Sequence, residues 1–239
     1  ISVVRKLIHS KKDEFIINNF KCSKPLLEIY KTFRTIKEAL EIDKDLIRFL
    51  KKTYGDRKNF NLIEKDILLY DPKELVRVNK LIGNIPYNIS TPIIEWIIDN
   101  KSSFDEIFLM LQKEFGERCV AQPNTKSYGR LSIFVQCFFD VTVIREVDKS
   151  SFTPSPKVQS IFLKLIPKVS EMIPNSIQMK NLSTLTREAF SKRRKLITNS
   201  LKSFFTEEDL VNLGIERKSR PENLSVETYI KLAKSIQSG

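Results

Sequence analysis

Residues 81–98 read LIGNIPYNISTPIIEWII, and they place the tetrapeptide Asn84-Ile85-Pro86-Tyr87 between two apolar segments. The segment before it, residues 80–85, has the character of a buried strand. Ser90 or Thr91 is a good N-cap for the helical pattern that follows and extends to about residue 99. Strand, polar turn and helix form the repeating unit of a parallel α/β sheet, in which ligands bind beyond the carboxyl ends of the strands. This junction therefore predicts both a fold class and the place of a site.

The same alternation of strand and helix patterns extends outward in both directions. It predicts an α/β first domain over residues 1–168 with a mainly parallel sheet. After about residue 168 the patterns are helical only, which predicts a small all-helical domain over residues 169–239. The predicted strands are 25–29, 36–43, 60–66, 80–85, 104–111, 141–147 and 157–166. The predicted helices include 46–54, 113–121, 129–139, 181–190, 192–204, 206–213 and 225–236.

The spacing of the first two predicted strands conflicts with this topology. Only residues 30–35 separate the strand 25–29 from the next one, whereas a crossover between parallel strands needs about a dozen residues. We therefore expect residues to be missing after Ile29, in the turn where such folds carry a Gly-rich cofactor loop. The chain has six glycines and no Gly-x-Gly. A natural loss of that loop, leaving an inactive protein, is the alternative.

Composition narrows the classes of function. Lys and Arg number 41 against 29 Asp and Glu, giving a net charge of +12, which favours a polyanion such as nucleic acid as partner. The three cysteines lack metal-ligand spacing and predict a reducing, cytoplasmic setting without disulfides. A single histidine, His9, excludes a zinc site or a catalytic triad built on histidines. No apolar run approaches the roughly 18 residues of a membrane span.

Polar residues end four predicted strands and suggest a nucleoside site. They are Glu28, the pair Glu41 and Asp43, Asp66, and Asn84. A carboxylate after the second strand can accept both hydroxyls of a ribose, and one after the third can accept from an adenine amino group. Each residue alone is equally explained as a turn former, but the ordered set predicts cofactor contacts.

The tetrapeptide itself predicts amine chemistry. The Asn84 side-chain oxygen and a backbone carbonyl beside Pro86 are two acceptors at a fixed angle, because proline fixes φ and donates no N–H. Two acceptors on one NH₂ group draw its lone pair out of conjugation, so the nitrogen can attack an electrophilic methyl group in line. Tyr87 offers a stacking face, and Phe152 in a second aromatic-proline loop can supply the other. An ordinary turn with packed aromatic residues is the alternative.

Basic residues in both predicted domains are candidate phosphate ligands, with a solvated surface as the alternative. The densest cluster, at residues 192–195, lies in the predicted helix 192–204. The candidates are Lys113, Arg118, Lys126, Arg130, Lys157, Arg187, Lys192, Arg193, Arg194 and Lys195.

Five longer stretches carry a family resemblance: GNIPYNIS (83–90), LQKEFGERCVAQPNTKSYGRLSIFVQ (111–136), FTPSPKVQS (152–160), FSKRRKLITNSL (190–201) and RPENLSVETYIKLA (220–233). Together they resemble the bacterial small-subunit ribosomal RNA adenine N6-dimethyltransferases, whose loss confers kasugamycin resistance. The resemblance implies a Rossmann-like class I methyltransferase fold with a seven-stranded sheet and a helical rRNA-binding domain. It also implies a Gly-rich loop after Leu27-Glu28-Ile29 and a basic tail with Gln-Asn-Phe-Leu before Ile1.

The resemblance further implies S-adenosylmethionine as methyl donor, S-adenosylhomocysteine as product and no metal. The implied substrates are two adjacent adenines near the 3′ end of 16S rRNA, in the 30S subunit or its precursor, methylated by a monomer. Residue by residue, Glu41 would hold the donor ribose, and Asp66 its adenine amine, with Ile42 and Ile67 packing on the ring. Asn84, Ile85 and Pro86 would orient the target amine, and Tyr87 and Phe152 would stack on the target base.

Three alternatives stay open. A large-subunit rRNA adenine methyltransferase of the macrolide-resistance type shares Asn-Ile-Pro-Tyr and the helical tail. A non-catalytic rRNA-binding assembly factor is consistent with the missing glycine loop. A DNA amino-methyltransferase is disfavoured by Ile85, because those enzymes typically have proline at this place.

Overall fold

The computed structural model describes residues 14–18, 36–56, 58, 60–72, 80–151, 156–170 and 173–236. None of the helices described there is long and apolar enough to span a membrane. The strands are β1 (Glu14–Asn18), β2 (Ile36–Glu41), β3 (Asn61–Glu64), β4 (Lys80–Asn84), β5 (Glu106–Gln112), β6 (Phe139–Val147) and β7 (Ser160–Pro167). The helices are α1 (Lys44–Tyr54), α2 (Ser90–Asp99), α3 (Lys113–Val120), α4 (Arg130–Phe138), α5 (Ser176–Ser191), α6 (Ile197–Ser200), α7 (Glu207–Asn212) and α8 (Val226–Ser235).

The seven strands form one sheet in the order β3-β2-β1-β4-β5-β7-β6. Adjacent strands from β3 to β5 run parallel to one another, whereas β7 runs antiparallel to β5. Leu81, Ile107 and Leu109 are fully buried in the central strands, as expected where both faces of a parallel sheet are covered. The α/β class with a mainly parallel sheet is confirmed.

The strand between β2 and β4 is Glu14–Asn18, which the sequence analysis did not predict. Ile17 pairs with Leu40 of β2, and Asn18 pairs with Asn84 of β4. Residues 19–35 separate β1 from β2 and lie outside the described residues, so the expectation of residues missing after Ile29 stays a prediction. The sequence analysis missed β1 because periodicity alone does not decide which of two short apolar runs, EFII and PLLEI, forms a buried strand.

The predicted strand 25–29 lies outside the described residues, and so does Glu28. No glycine occurs in residues 19–35. These residues of the sequence therefore hold no Gly-rich loop.

The chain divides into two compact units, Ile1–Gly116 with Val141–Pro167, and Glu117–Asp140 with Lys168–Gly239. Residues 117–140, which the sequence analysis assigned to the first domain, thus cluster with the helical unit. The Tyr128 hydroxyl donates to the Leu224 carbonyl at 2.9 Å, and Gln136 Nε2 donates to the Ala121 carbonyl at 2.8 Å. The first bond joins residues 117–140 to the carboxyl-terminal helices and the second stabilises the segment itself. No change in composition marks the boundary at residue 117.

A three-residue ionic cluster lies at the amino-terminal end of β4 and β5. Glu106 contacts Lys80 Nζ at 3.2 Å and Lys164 Nζ at 2.5 Å. Burial opposes ionisation of Glu106, but the hydrogen bonds and charges of Lys164 and Lys80 outweigh it and hold the pKa of this carboxyl below its usual value. The cluster links β4, β5 and β7 at the edge of the sheet opposite to Asn84, and Lys80 within it is only 5% exposed.

Candidate functional site

Asn84 is the last residue of β4, and the chain leaves the sheet directly after it. The Ile85 amide still donates to the Met110 carbonyl of β5 at 3.0 Å, and the Ile85 side chain is buried. Pro86 then adopts φ −57° and ψ 135°, which turns the chain out of the strand. Within the described residues, neither the Asn84 side chain nor the Ile85 carbonyl takes part in a hydrogen bond. Two acceptors with no partner in the described part of the chain thus lie at the carboxyl end of β4.

The turn after Pro86 is built by its own hydrogen bonds. The Pro86 carbonyl accepts from the Ile89 amide at 3.1 Å, and the Ser90 hydroxyl donates to the Tyr87 carbonyl at 3.2 Å. The expectation of Ser90 or Thr91 as N-cap was wrong, because Ile89 holds the cap position. Ser90 instead uses its hydroxyl to hold the preceding turn, which carries Tyr87.

Tyr87 combines an exposed ring with a fixed hydroxyl. Its residue exposure is 37%, and its phenol oxygen lies 3.2 Å from Ser160 Oγ at the start of β7. Ser160 is a residue of this site that the sequence analysis did not single out, although it ends the aromatic-proline stretch 152–160. Phe152, the other predicted stacking residue, lies outside the described residues.

Glu41 ends β2 with a carboxylate whose direction is set by the backbone. Its Oε1 accepts from the amides of Ile42 and Asp43 at 2.8 and 2.9 Å, and the residue is 1% exposed. Asp43 is committed to the helix that follows, because its Oδ1 accepts from the Asp45 amide at 2.9 Å. Asp43 is thus the N-cap of α1, which leaves Glu41 as the carboxylate suited to a ligand at this strand end.

Asp66 and the two isoleucines differ in how they meet solvent. Asp66 is half-buried and caps a short 3₁₀ turn by accepting from the Leu68 amide at 3.0 Å. Ile42 is 53% exposed, whereas Ile67 is 5% exposed. Ile42 can therefore offer an apolar face to a planar ring, while Ile67 mainly fills the interior behind Asp66.

The strand register brings these residues to one edge of the sheet. Asn18 of β1 and Asn84 of β4 pair directly. Ile17 of β1 pairs with Leu40 of β2, so the next residues, Asn18 and Glu41, lie at the same level of the sheet. With β1 between β2 and β4, Glu41 and Asn84 are separated by two strand spacings, roughly 10 Å at the backbone. This edge is the one at which open α/β sheets bind ligands. No group of His, Cys, Asp or Glu suited to a metal ion occurs in the described part of the chain.

The predicted basic residues fall into two kinds. Lys113 pairs with Glu146 at 2.7 Å. Arg193 contacts Glu222 at 3.2 Å and donates to the carbonyls of Lys126 and Thr125 at 2.9 and 3.1 Å, so its guanidinium is committed inside the helical unit. The exposed members of the predicted set are Arg118, Lys126, Arg130, Lys157, Arg187, Lys192, Arg194 and Lys195.

The predicted helix 192–204 is also corrected by the structure. Lys192 to Lys195 form a turn, closed by a hydrogen bond from the Lys195 amide to the Lys192 carbonyl at 2.8 Å, and α6 covers only residues 197–200. A turn presents successive side chains in different directions. This explains why Arg193, which is half-buried, contacts Glu222 while its neighbours are exposed.

Comparison with known proteins gives consistent matches. A family model described as ribosomal RNA adenine dimethylase matches residues 22–238. The ribosomal RNA small subunit methyltransferase A of Buchnera aphidicola is 38% identical over 221 residues, covering 88% of this chain and 77% of that protein. The protein of the same name from Nitrosococcus oceani is 36% identical over 200 residues, covering 82% and 75%.

Solved structures agree with this fold. A dimethyladenosine transferase from Plasmodium falciparum superimposes with a TM-score of 0.78 at 28% identity, covering 97% of this chain and 92% of that one. The 23S rRNA methyltransferase ErmE superimposes with a TM-score of 0.71 at 18% identity, covering 98% and 96%. At that identity, the second match supports the fold alone.

Proposed function

The chain belongs to the ribosomal RNA adenine dimethylase family, and on that premise we propose that it methylates small-subunit rRNA. The reaction is transfer of methyl groups from S-adenosylmethionine to the N6 amines of two adjacent adenines near the 3′ end of 16S rRNA. The observation that carries this proposal is a pair of acceptors at the carboxyl end of β4, the Asn84 side-chain oxygen and the Ile85 carbonyl, which have no partner among the described residues.

The two acceptors account for the chemistry at the nitrogen. Each accepts one hydrogen of the target NH₂ group, which draws the lone pair out of conjugation with the purine and aims it at the methyl carbon. The target adenine must first leave its stack, at a cost of a few kcal/mol. Stacking on the exposed ring of Tyr87 offsets part of that cost. Alignment of two bound substrates supplies most of the catalysis, without a covalent enzyme intermediate.

The polar groups at the neighbouring strand ends fit the methyl donor. When bound, S-adenosylmethionine supplies an electrophilic methyl group on a sulfonium. The buried carboxylate of Glu41 suits vicinal ribose hydroxyls, Asp66 suits an adenine amine, and exposed Ile42 suits the face of the base. No metal is needed in this scheme.

We assign rRNA binding to the exposed cations of both units, and chiefly to the helical unit, where Lys126, Arg130, Lys192, Arg194 and Lys195 lie. Contacts of this kind neutralise phosphates and make binding dependent on salt. The proposed setting is the cytoplasm, with a monomer acting on the 30S subunit or its precursor.

One observation favours a second candidate, a non-catalytic rRNA-binding assembly factor. The link between β1 and β2, residues 19–35, contains no glycine, although sheets of this kind commonly place a Gly-rich phosphate- or cofactor-binding turn there. Loss of that turn would weaken donor binding while leaving the basic surfaces intact. The two candidates differ in one measurable property, transfer of the methyl group.

The decisive experiment is transfer of tritiated methyl from S-adenosylmethionine to undermethylated 30S particles, followed by mapping of the label. We expect label in two adjacent adenines near the 3′ end of 16S rRNA and none in 50S particles. Label in the large subunit would identify the large-subunit alternative. Binding to 30S particles without any label would support the assembly factor and overturn the enzymatic proposal.

A further inference from the structure

Ser160 is a buried polar residue next to the proposed active site. It is 1% exposed, and its Oγ lies 3.2 Å from the hydroxyl of Tyr87. Among the described residues, the Ser160 hydroxyl has no other hydrogen-bonding partner. A buried hydroxyl is costly to leave unsatisfied. The phenol of Tyr87 therefore satisfies Ser160, and this pairing distinguishes tyrosine from phenylalanine at position 87.

The backbone of Ser160 is held firmly from the neighbouring strand. Ser160 pairs with Gln112 in the antiparallel register of β7 on β5. The carbonyl of Gln159, just before it, accepts from the Lys113 amide at 2.9 Å. Because β7 runs antiparallel to β5, its first residue lies at the carboxyl end of β5, the same edge as Asn84. Ser160 Oγ is thus a fixed point beside the Asn84 turn.

Tyr87 is held by the sheet at its hydroxyl end and by the short turn at its backbone end. The phenol oxygen lies on the long axis of the ring, so a bond to that oxygen fixes the direction of the axis and leaves rotation about it possible. An exposed ring without this bond would sample several χ1 rotamers. A single axis direction keeps one ring face in a constant place relative to Asn84.

We propose that Ser160 is a positioning residue that fixes the direction of the Tyr87 ring axis. The ring then stacks on the target adenine while Asn84 and Ile85 accept hydrogen bonds from the adenine amine. This role rests on the proposed function. Ser160 itself does not contact the substrate. Its effect appears in the placement of the stacked base and hence in the rate of transfer, more than in the affinity for RNA.

The test uses the full chain and three variants, Ser160→Ala, Tyr87→Phe and the double variant. The RNA substrate carries 2-aminopurine in place of the first target adenine for fluorescence, and adenine for methyl transfer. We expect each single variant to lower kcat by about 2- to 10-fold, the effect of one neutral hydrogen bond, with KM for RNA within about twofold. The quenching of 2-aminopurine on binding is expected to fall in both. The kcat of the double variant should be no lower than that of the slower single variant, because both changes remove the same bond.

Ser200→Ala is the matched control, because Ser200 is a buried serine of the helical unit whose hydroxyl bonds to the Leu196 carbonyl. Thermal unfolding of every variant shows whether a lower kcat comes from a destabilised fold or from a displaced Tyr87 ring. Wild-type kcat and quenching in Ser160→Ala, or multiplied losses in the double variant, would overturn the proposal. If the wild-type chain transfers no methyl group, the proposed function fails, and the quenching measurement still decides whether Ser160 holds the stacking ring.

Discussion

Gly116 on α3 packs directly against Ile161 on β7. A Cβ atom at position 116 would fall well inside van der Waals contact with Ile161 Cγ2. Both residues belong to the first compact unit. The glycine therefore lets the helix that follows β5 approach β7, the strand that begins with Ser160.

Gly116→Ala should destabilise the protein, contrary to the intrinsic preference of helices. Alanine in a helix is ordinarily favoured over glycine by about 1 kcal/mol, but here its methyl group overpacks the contact with Ile161, at a cost of about 1–3 kcal/mol. Chemical denaturation measures the difference. The double variant Gly116→Ala with Ile161→Ala should lose less stability than the two single variants lose together, because the smaller side chain at position 161 makes room for the methyl group at 116. A more stable Gly116→Ala variant would contradict the packing seen here.

Asn84→Ala should reduce methyl transfer severely while RNA binding survives. Removing one of the two acceptors leaves the target amine misaligned, and loss of one such polar contact typically lowers kcat by about 10²–10³-fold. Single-turnover transfer to 30S particles measures the loss, and filter binding of the same particles measures affinity. Near-normal turnover in this variant would defeat the amine-orienting role of Asn84.

Glu106 should make the stability of the first unit sensitive to acid. Burial raises the pKa of Glu106, but Lys164 and Lys80 outweigh burial and lower the folded pKa below the ordinary value of 4.5. The contribution of Glu106 to the free energy of unfolding is therefore fully present above pH 4.5. That contribution is lost as the pH falls through the lowered value. Denaturant unfolding between pH 7 and pH 3 should show this loss, and Glu106→Gln should flatten the acid limb.

At neutral pH the same variant should lose about 2 kcal/mol, less than a fully buried pair, because Glu106 is partly exposed. Glu95→Gln is the control, since Glu95 is exposed on α2 and forms no ion pair with another described residue. An acid limb equally steep in wild type and Glu106→Gln would show that the cluster does not carry the pH dependence.

Arg193 and Arg194 are adjacent, but replacing the first should lower stability and replacing the second should weaken RNA binding. Arg193→Ala removes the contacts to Glu222 and to two backbone carbonyls, so we expect a loss of about 1–3 kcal/mol in stability. Arg194→Ala, at an exposed position, should leave the melting temperature near wild type. It should instead weaken RNA binding and lower the slope of log affinity against log salt by about one. Calorimetry and a salt titration of RNA binding separate the two outcomes.

Local sequence was sufficient for much of the fold. Helices α1 and α2, and strands β2, β4 and β5, were predicted with small errors at their ends, because their apolar spacing is regular and each is flanked by capping or turn residues. β1 was missed, since two similar apolar runs compete for one place in the sheet. Only pairing with β2 and β4 distinguishes them, and pairing is a long-range property.

The sequence by itself determined the chemistry of this protein: an amide, a proline and a tyrosine at a strand end, carboxylates at two others, and a basic surface. These follow from residue type and short spacing, which need no knowledge of the rest of the chain. The tertiary structure alone decided which strand completes the sheet, that Arg193 contacts Glu222, and that Ser160 lies within hydrogen-bonding distance of Tyr87, 73 residues away in sequence. Such contacts depend on how distant segments pack, and local periodicity carries no information about that packing.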